Sequence, residues 1–109
     1  MVRQAKKKKH PTYTLKDIQA AFKDWSSLNI SGNARDDIDD LFLTMHHVID
    51  VIKSLKRSHF HTTRPGKYKP DIMQDSYKIF YNGCEHYLKF TLDMDGELQL
   101  NSFKENKDD

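Results

Sequence analysis

Apolar residues recur at helical spacing through the first half of the chain and at every second position through the last third. Leu15, Ile18, Phe22 and Trp25 stand three, four and three residues apart, one stripe of an amphipathic helix predicted over about 15–25. Thr14, with Asp17 three residues on, has the pattern of an N-cap and an acidic first turn. The segment 27–31 (SLNIS) reads as a short strand, and Gly32-Asn33 as a break before the next helix start. From Asp36 to Leu55, the residues Leu41, Met45, Val48, Ile52 and Leu55 recur at four, three, four and three, so most of this segment is predicted helical. Periodicity leaves open whether Thr44 divides it into two helices. Asp36, Asp37, Asp39 and Asp40 fall in its predicted first turns and Lys53, Lys56 and Arg57 in its last, the arrangement the helix dipole favours.

Residues 58–71 (SHFHTTRPGKYKPD) hold two prolines, a glycine and the cations Arg64, Lys67 and Lys69, and are predicted as a basic loop. Beyond Asp71 the period falls to two. Tyr77, Ile79 and Tyr81 face one way and Lys78 and Phe80 the other. Asn82-Gly83 then signals a type I′ hairpin. His86, Leu88, Phe90 and Leu92 alternate with Tyr87, Lys89 and Thr91; Asp95-Gly96 supplies a second tight turn, and 97–103 (ELQLNSF) a third strand. Helical blocks followed by a meander predict an α+β domain, with N-terminal helices packed on one face of a C-terminal antiparallel sheet.

At 109 residues, 37% apolar and 31% charged, the chain fits one domain with a thin core. That domain is expected over 12–105, between a basic flexible arm at 1–11 and a polar tail at 106–109. The single cysteine, Cys84, excludes an internal disulfide framework and is read as a small strand residue of a protein in a reducing compartment. With no apolar leader and no run of 18 apolar residues, a soluble cytoplasmic protein with no membrane partner is expected.

The net charge of +2 conceals blocks of opposite sign. Residues 1–10 carry five positive charges, including the run Lys6 to Lys9, read either as a solvated terminus or as an arm for a polyanion. Residues 33–50 sum to −4, residues 53–89 to +5 and residues 90–109 to −4. The chain outside the first ten residues is not basic overall, which argues against a purely nonspecific polyanion binder.

Several constellations bear on chemistry. His59 and His61 would share a face if extended but lack a clear third metal ligand, so solvated loop histidines are the plainer reading. His46 and His47 project about 100° apart on a helix, a poor arrangement for one ion. Asp93-x-Asp95-Gly96 has the opening of a calcium loop without its later ligands, and reads as a hairpin turn. No phosphate-binding glycine loop, dinucleotide motif or serine or cysteine triad is present. The richest feature is the basic loop with the aromatic strands behind it: Arg64, Lys67, Tyr68 and Lys69, then Tyr77, Lys78, Tyr81, Tyr87 and Lys89. Cations attract phosphates, and exposed aromatics stack on unpaired bases. The competing reading is an ordinary sheet with an aromatic core and solvated lysines.

Three stretches, Met73-Gln74-Asp75-Ser76-Tyr77, His86-Tyr87-Leu88-Lys89 and Ser102-Phe103-Lys104-Glu105, resemble the C-terminal landmarks of MqsR-type toxins at nearly the same separations. The Thr14-Leu15 helix opening, a second helical block and Phe60, fourteen residues before Gln74, are compatible, so the resemblance spans about 12–105. It implies a small RelE-like α+β endoribonuclease, an mRNA interferase that cuts single-stranded messenger RNA without a metal or other cofactor. It also implies a cognate antitoxin as partner, and no direct DNA binding. The family's functional Gln, Tyr and Lys fall on Gln74, Tyr87 and Lys104, while its other important Lys falls on Thr62. Either a neighbouring His61, Arg64, Lys67 or Lys69 takes that role through a differently shaped loop, or catalysis is weakened or lost.

In chemical terms, cleavage through the ribose 2′-hydroxyl needs a proton acceptor, a donor to the leaving 5′-oxygen and charge to stabilise the phosphorane. Gln74 would orient phosphate or base, Tyr87 would transfer a proton, Lys104 would supply charge and His61 would serve as acid or base. Arg64, Lys67, Lys69 and Lys89 would bind RNA. Strict alternation through Leu98 and Leu100, however, puts Lys104 on the apolar side of its strand, away from Tyr87. A bulge near Asn101 or a strand end at Phe103 is required. The alternatives are a non-catalytic RNA-binding or antitoxin-binding relative of the same fold, and a structural partner domain using its acidic helix.

Overall fold

The computed structural model describes residues 10–24, 26 and 28–106. The basic run Lys6–Lys9, Trp25, Ser27 and residues 107–109 lie outside the described residues. Three helices, α1 (Leu15–Ala21), α2 (Gly32–Asp40) and α3 (Met45–Ser54), precede a 3₁₀ turn at Arg57–His59 and four strands: β1 (Phe60–Pro65), β2 (Met73–Tyr81), β3 (Cys84–Leu92) and β4 (Leu98–Asn106). The strands form an antiparallel meander in the order β1-β2-β3-β4. The architecture is therefore the expected α+β, with one strand more than the period-two pattern predicts. Residues 60–65, read as loop, are edge strand β1. Pro65 is tolerated there because it ends an edge strand, where its missing N–H costs no ladder bond.

The helix boundaries follow from local capping. Thr14 Oγ1 accepts from Asp17 N at 3.1 Å, as expected, but α1 stops at Ala21 rather than near 25. Asp24 and Ser26 bond to each other there at 2.7 Å, a local side-chain alternative to continuing the helix. Gly32-Asn33 does not break the chain; it opens α2 behind the N-cap Ser31, whose Oγ accepts from Ala34 N at 3.1 Å. The helical block does divide at Thr44, which caps α3 through a bond from His47 N at 3.1 Å. The acidic residues consequently occupy the second half of α2 rather than a first turn, where the dipole offers them nothing.

The core lies between the helices and one face of the sheet. Ile18 from α1 and Phe22 at its C-cap, Ile38 from α2 and Val48, Val51 and Ile52 from α3 meet Tyr77, Leu88, Phe90, Leu100 and Phe103, all fully buried. Burying each such side chain contributes about 1.5–3 kcal/mol. Gln19 of α1 donates to the carbonyls of Ile52, Lys53 and Leu55 at 3.0–3.2 Å, occupying acceptors left open at the end of α3. The 27–31 segment contributes one parallel bridge, Ile30 to Leu100, rather than a strand. The Asn82-Gly83 turn has φ +53° and +83°, the type I′ pattern that the sequence predicts. At the second turn, Asp93 Oδ1 accepts from Asp95 N and Glu97 N at 2.8 and 3.0 Å and Oδ2 from Asn29 Nδ2 at 2.7 Å. The carboxylate is committed to shaping a hairpin, and these bonds hold its pKa below the usual aspartate value.

Candidate functional site

The sheet face turned away from the helices carries the expected site residues, and strand register arranges them in rows. The two-residue hairpin pairs Lys78 with Tyr87 and Ser76 with Lys89. On β4, Tyr87 pairs with Lys104 and Lys89 with Ser102, whereas the next step pairs Phe90 with Leu100. Asn101 is thus an extra residue, the bulge that the sequence requires: Leu100 and Phe103 both enter the core while Lys104 projects to the open face. On β1, Thr62 pairs with Ser76 and Arg64 with Gln74, and His61 occupies a second bulge between Phe60 and Thr62.

One row therefore reads Lys78, Tyr87, Lys104, with the His61 ring edge-on to Tyr87 at 6.1 Å between centroids. Lys78 Nζ and Lys89 Nζ stand 5.9 and 5.7 Å from the centre of the Tyr87 ring, so two cations lie within cation–π distance of the phenol. Its hydroxyl lies 3.5 Å from Ser76 Oγ. His61, Lys78, Tyr87, Lys104 and Glu105 line a cleft of about 310 Å³. Partial burial, and then the charges of Lys78 and Arg64, hold the His61 pKa below its ordinary 6.5, with Glu85 opposing them. The imidazole is therefore neutral, and able to accept a proton, at neutral pH.

Gln74 stands apart from this row. It is four residues along β2 from Lys78, roughly 13 Å at strand rise, in a row with Arg64 and beside a larger cleft of about 670 Å³. The β1–β2 loop, with Lys67, Tyr68 and Lys69, forms one wall of that cleft, and Asn33, Asp36 and Asp37 of α2 form the other. Lys89 and Ser102 belong to its floor, and Lys104 lines both clefts. The Lys104 ammonium is 2.7 Å from Asp37 Oδ1. Asp37 Oδ2 accepts from Phe103 N at 2.9 Å and lies 3.4 Å from Ser102 Oγ, so α2 ties down the edge strand that carries the lysine.

Other sequence candidates separate from the site. Tyr77 is fully buried, its hydroxyl pKa pushed up to about 12 by desolvation and then by Asp75, and Tyr81 packs edge-on to His47; neither offers an open stacking face. For these two, the ordinary-core reading holds. His59 Nδ1 accepts from Lys56 N at 2.8 Å and closes the 3₁₀ turn, while His61 faces Tyr87. His47 and His86 pack against each other, 5.5 Å between centroids, away from this face. Among the described residues, no group of three or more His, Cys, Asp or Glu is placed to hold a metal ion.

The sequence groups Lys78 with the basic and aromatic strip without giving it a role beside Tyr87, and offers Asp37 only as an acidic residue of a helix. Lys78 belongs with Tyr87 by hairpin arithmetic, since a two-residue Asn82-Gly83 turn that pairs Tyr81 with Cys84 also pairs Lys78 with Tyr87. Asp37 left no such signal, because its partner lies 67 residues away.

The fold and this face define a small α+β domain with helices on one side of a meander and a tyrosine within reach of two cations on the other. The chain belongs to the MqsR toxin family: the family model described as motility quorum-sensing regulator, toxin of MqsA, matches residues 10–105. It is accordingly a toxin of a toxin–antitoxin system, and membership implies an antitoxin partner of the MqsA kind. No curated protein matches the chain. No helix among the described residues is long and apolar enough to cross a membrane.

Proposed function

We propose that this toxin is an endoribonuclease that cleaves single-stranded messenger RNA in the cytoplasm by attack of a ribose 2′-hydroxyl on the adjacent phosphate, with its own side chains supplying the proton transfers and no metal required. The observation that carries this reading is the row Lys78, Tyr87, Lys104 with His61 against the tyrosine. Neutral His61 takes the 2′-hydroxyl proton as the 2′-oxygen bonds to phosphorus. The bond from phosphorus to the 5′-oxygen breaks, and Tyr87 donates the proton that the leaving oxygen needs. Lys104 and Lys78 hold the charge that accumulates on the phosphoryl oxygens, the interaction that strengthens most in the transition state.

Gln74, in the neighbouring cleft, positions the RNA and moves no proton. Arg64, Lys67, Lys69 and Lys89 attract the backbone on either side. Thr62, where the family carries a lysine, faces Ser76 and Lys89 in its row. The missing cation is replaced by Lys78 and Lys89 at the tyrosine ring, which arrive from β2 and β3 rather than β1.

The test is incubation of the purified chain with a long unstructured RNA in EDTA. Wild type is expected to cut, with Lys104→Ala and Tyr87→Phe each losing at least about tenfold in kcat. Equal cutting by all three overturns the roles given to Lys104 and Tyr87, whereas intact RNA with wild type overturns the ribonuclease reading and leaves a non-catalytic RNA- or antitoxin-binding relative.

A further inference from the structure

The phosphate chemistry at Tyr87 leaves most of the larger cleft unused. At about 670 Å³ it falls within the roughly 300–1,000 Å³ range of small-ligand pockets, and it adjoins the reacting row through Lys104. Its two long walls differ in character, one cationic and aromatic, the other anionic.

The first wall is a fixed loop. Gly66 N donates to Ile72 O at 2.8 Å and Ile72 N to Lys69 O at 2.9 Å, closing the loop on itself. A Cβ on Gly66 would stand 2.9 Å from both of those carbonyl oxygens, so the closure admits only glycine. This frame holds Tyr68 out of the core at 86% exposure, with Lys67 Nζ 5.5 Å from the ring centre. A large aromatic held in solvent on a rigid frame contributes nothing to folding, but it offers a π-face to a planar ligand.

Across the cleft stands α2. Asp37 is occupied by Lys104 and the β4 backbone, whereas Asp36 is exposed and makes no ion pair among the described residues. A carboxylate only accepts hydrogen bonds, so it reads N–H donors.

We propose that this cleft is a nucleobase subsite that seats one unpaired base beside the scissile phosphate, stacked on Tyr68 and read along its edge by Asp36. The subsite takes bases with an exocyclic amino group, adenine, cytosine and guanine. It disfavours uracil, whose N3–H lies between two carbonyl oxygens that the carboxylate repels. Lys67, Lys69 and Lys89 balance the ligand's phosphate. The proposal rests on the RNA reading above but predicts binding, not turnover, so the two can fail separately.

The experiment is an amide-resolved NMR titration of the full chain with 3′-AMP, 3′-CMP, 3′-GMP and 3′-UMP. The three amino-bearing nucleotides are expected to shift residues 66–69 and 33–37 and to bind several-fold more tightly than 3′-UMP. Tyr68→Ala should weaken 3′-CMP by at least about fivefold, Tyr68→Phe should keep it, and Asp36→Asn should erase the discrimination against 3′-UMP. Tyr87→Phe, impaired in cleavage, should bind all four as wild type does. Equal affinity for the four nucleotides, shifts confined to the Tyr87 row, or no effect of Tyr68→Ala would overturn the subsite even in a chain that cuts RNA. A chain that binds as described but leaves RNA intact would retain the subsite and lose the ribonuclease reading.

Discussion

Lys104 Nζ lies 2.7 Å from Asp37 Oδ1, while the other oxygen of that carboxylate accepts the Phe103 N–H at 2.9 Å. One helix residue therefore satisfies an edge-strand donor and holds a cation at the wall between two clefts. The lysine side chain is 62% exposed, so the ion pair itself stabilises by no more than about 1 kcal/mol. The backbone bond dominates: Asp37→Ala leaves a donor of β4 without its acceptor and is expected to cost about 1–3 kcal/mol in urea unfolding. Asp37→Asn keeps an acceptor, loses less stability and removes a negative charge from the groove, so RNA should bind more tightly at low salt. Weaker binding by Asp37→Asn would contradict this division of roles.

His61 acts as a base only when neutral, and burial together with Lys78 and Arg64 holds its pKa under 6.5. The rate should rise with pH along an acid limb below 6.5 and level off by neutrality. Removing the Lys78 charge lets the imidazole protonate more readily, so Lys78→Ala should move that limb to higher pH. A pH–rate profile with the limb unmoved or moved down would contradict the assignment of His61 as the base.

Phe42 follows α2 with φ +57° and is 92% exposed. Its N–H bonds to Asp39 O at 3.0 Å and that of Leu43 to Ile38 O at 3.1 Å, the paired C-terminal closure in which glycine normally occupies the left-handed position. A phenylalanine pays a left-handed backbone cost there with no burial in return. Phe42→Gly is expected to raise stability by about 1 kcal/mol, seen as a higher melting temperature, and Phe42→Val to lower it.

His86 is buried with neither ring nitrogen bonded, against His47, Tyr81 and Phe103. Burial first, then His47, lowers its pKa from 6.5, partly offset by Glu105. The unfolded chain takes up the proton more readily than the folded one, so this site's contribution to stability is complete above about pH 6.5 and falls away as pH drops below it. Melting temperature should decline on acidification through that range, less steeply in His86→Leu; an unchanged slope in the variant would contradict this.

The sheet was legible where local chemistry sets it. Asn82-Gly83 fixes the hairpin, and the conflict between Leu100 and Lys104 calls for a bulge that Asn101 supplies. Strand β1 was hidden because Pro65, Gly66 and the cations around them carry loop composition, while its pairing is dictated by β2. The division of α2 from α3 was ambiguous because Leu41 and Met45 keep helical spacing across a turn that contains neither glycine nor proline. Gln74, Tyr87 and Lys104 were found through resemblance, but only the structure shows that Gln74 and Tyr87 belong to different clefts, with Lys104 lining both. Asp37 was beyond reach, since a contact made across the sheet edge leaves no periodic trace.

The central claim is attack by the 2′-hydroxyl, and mass spectrometry of the RNA termini after digestion in EDTA tests it most directly. The account predicts a 2′,3′-cyclic phosphate on one fragment and a free 5′-hydroxyl on the other, with no cutting where the ribose is replaced by 2′-deoxyribose. Fragments ending in a 3′-hydroxyl and a 5′-phosphate would contradict it.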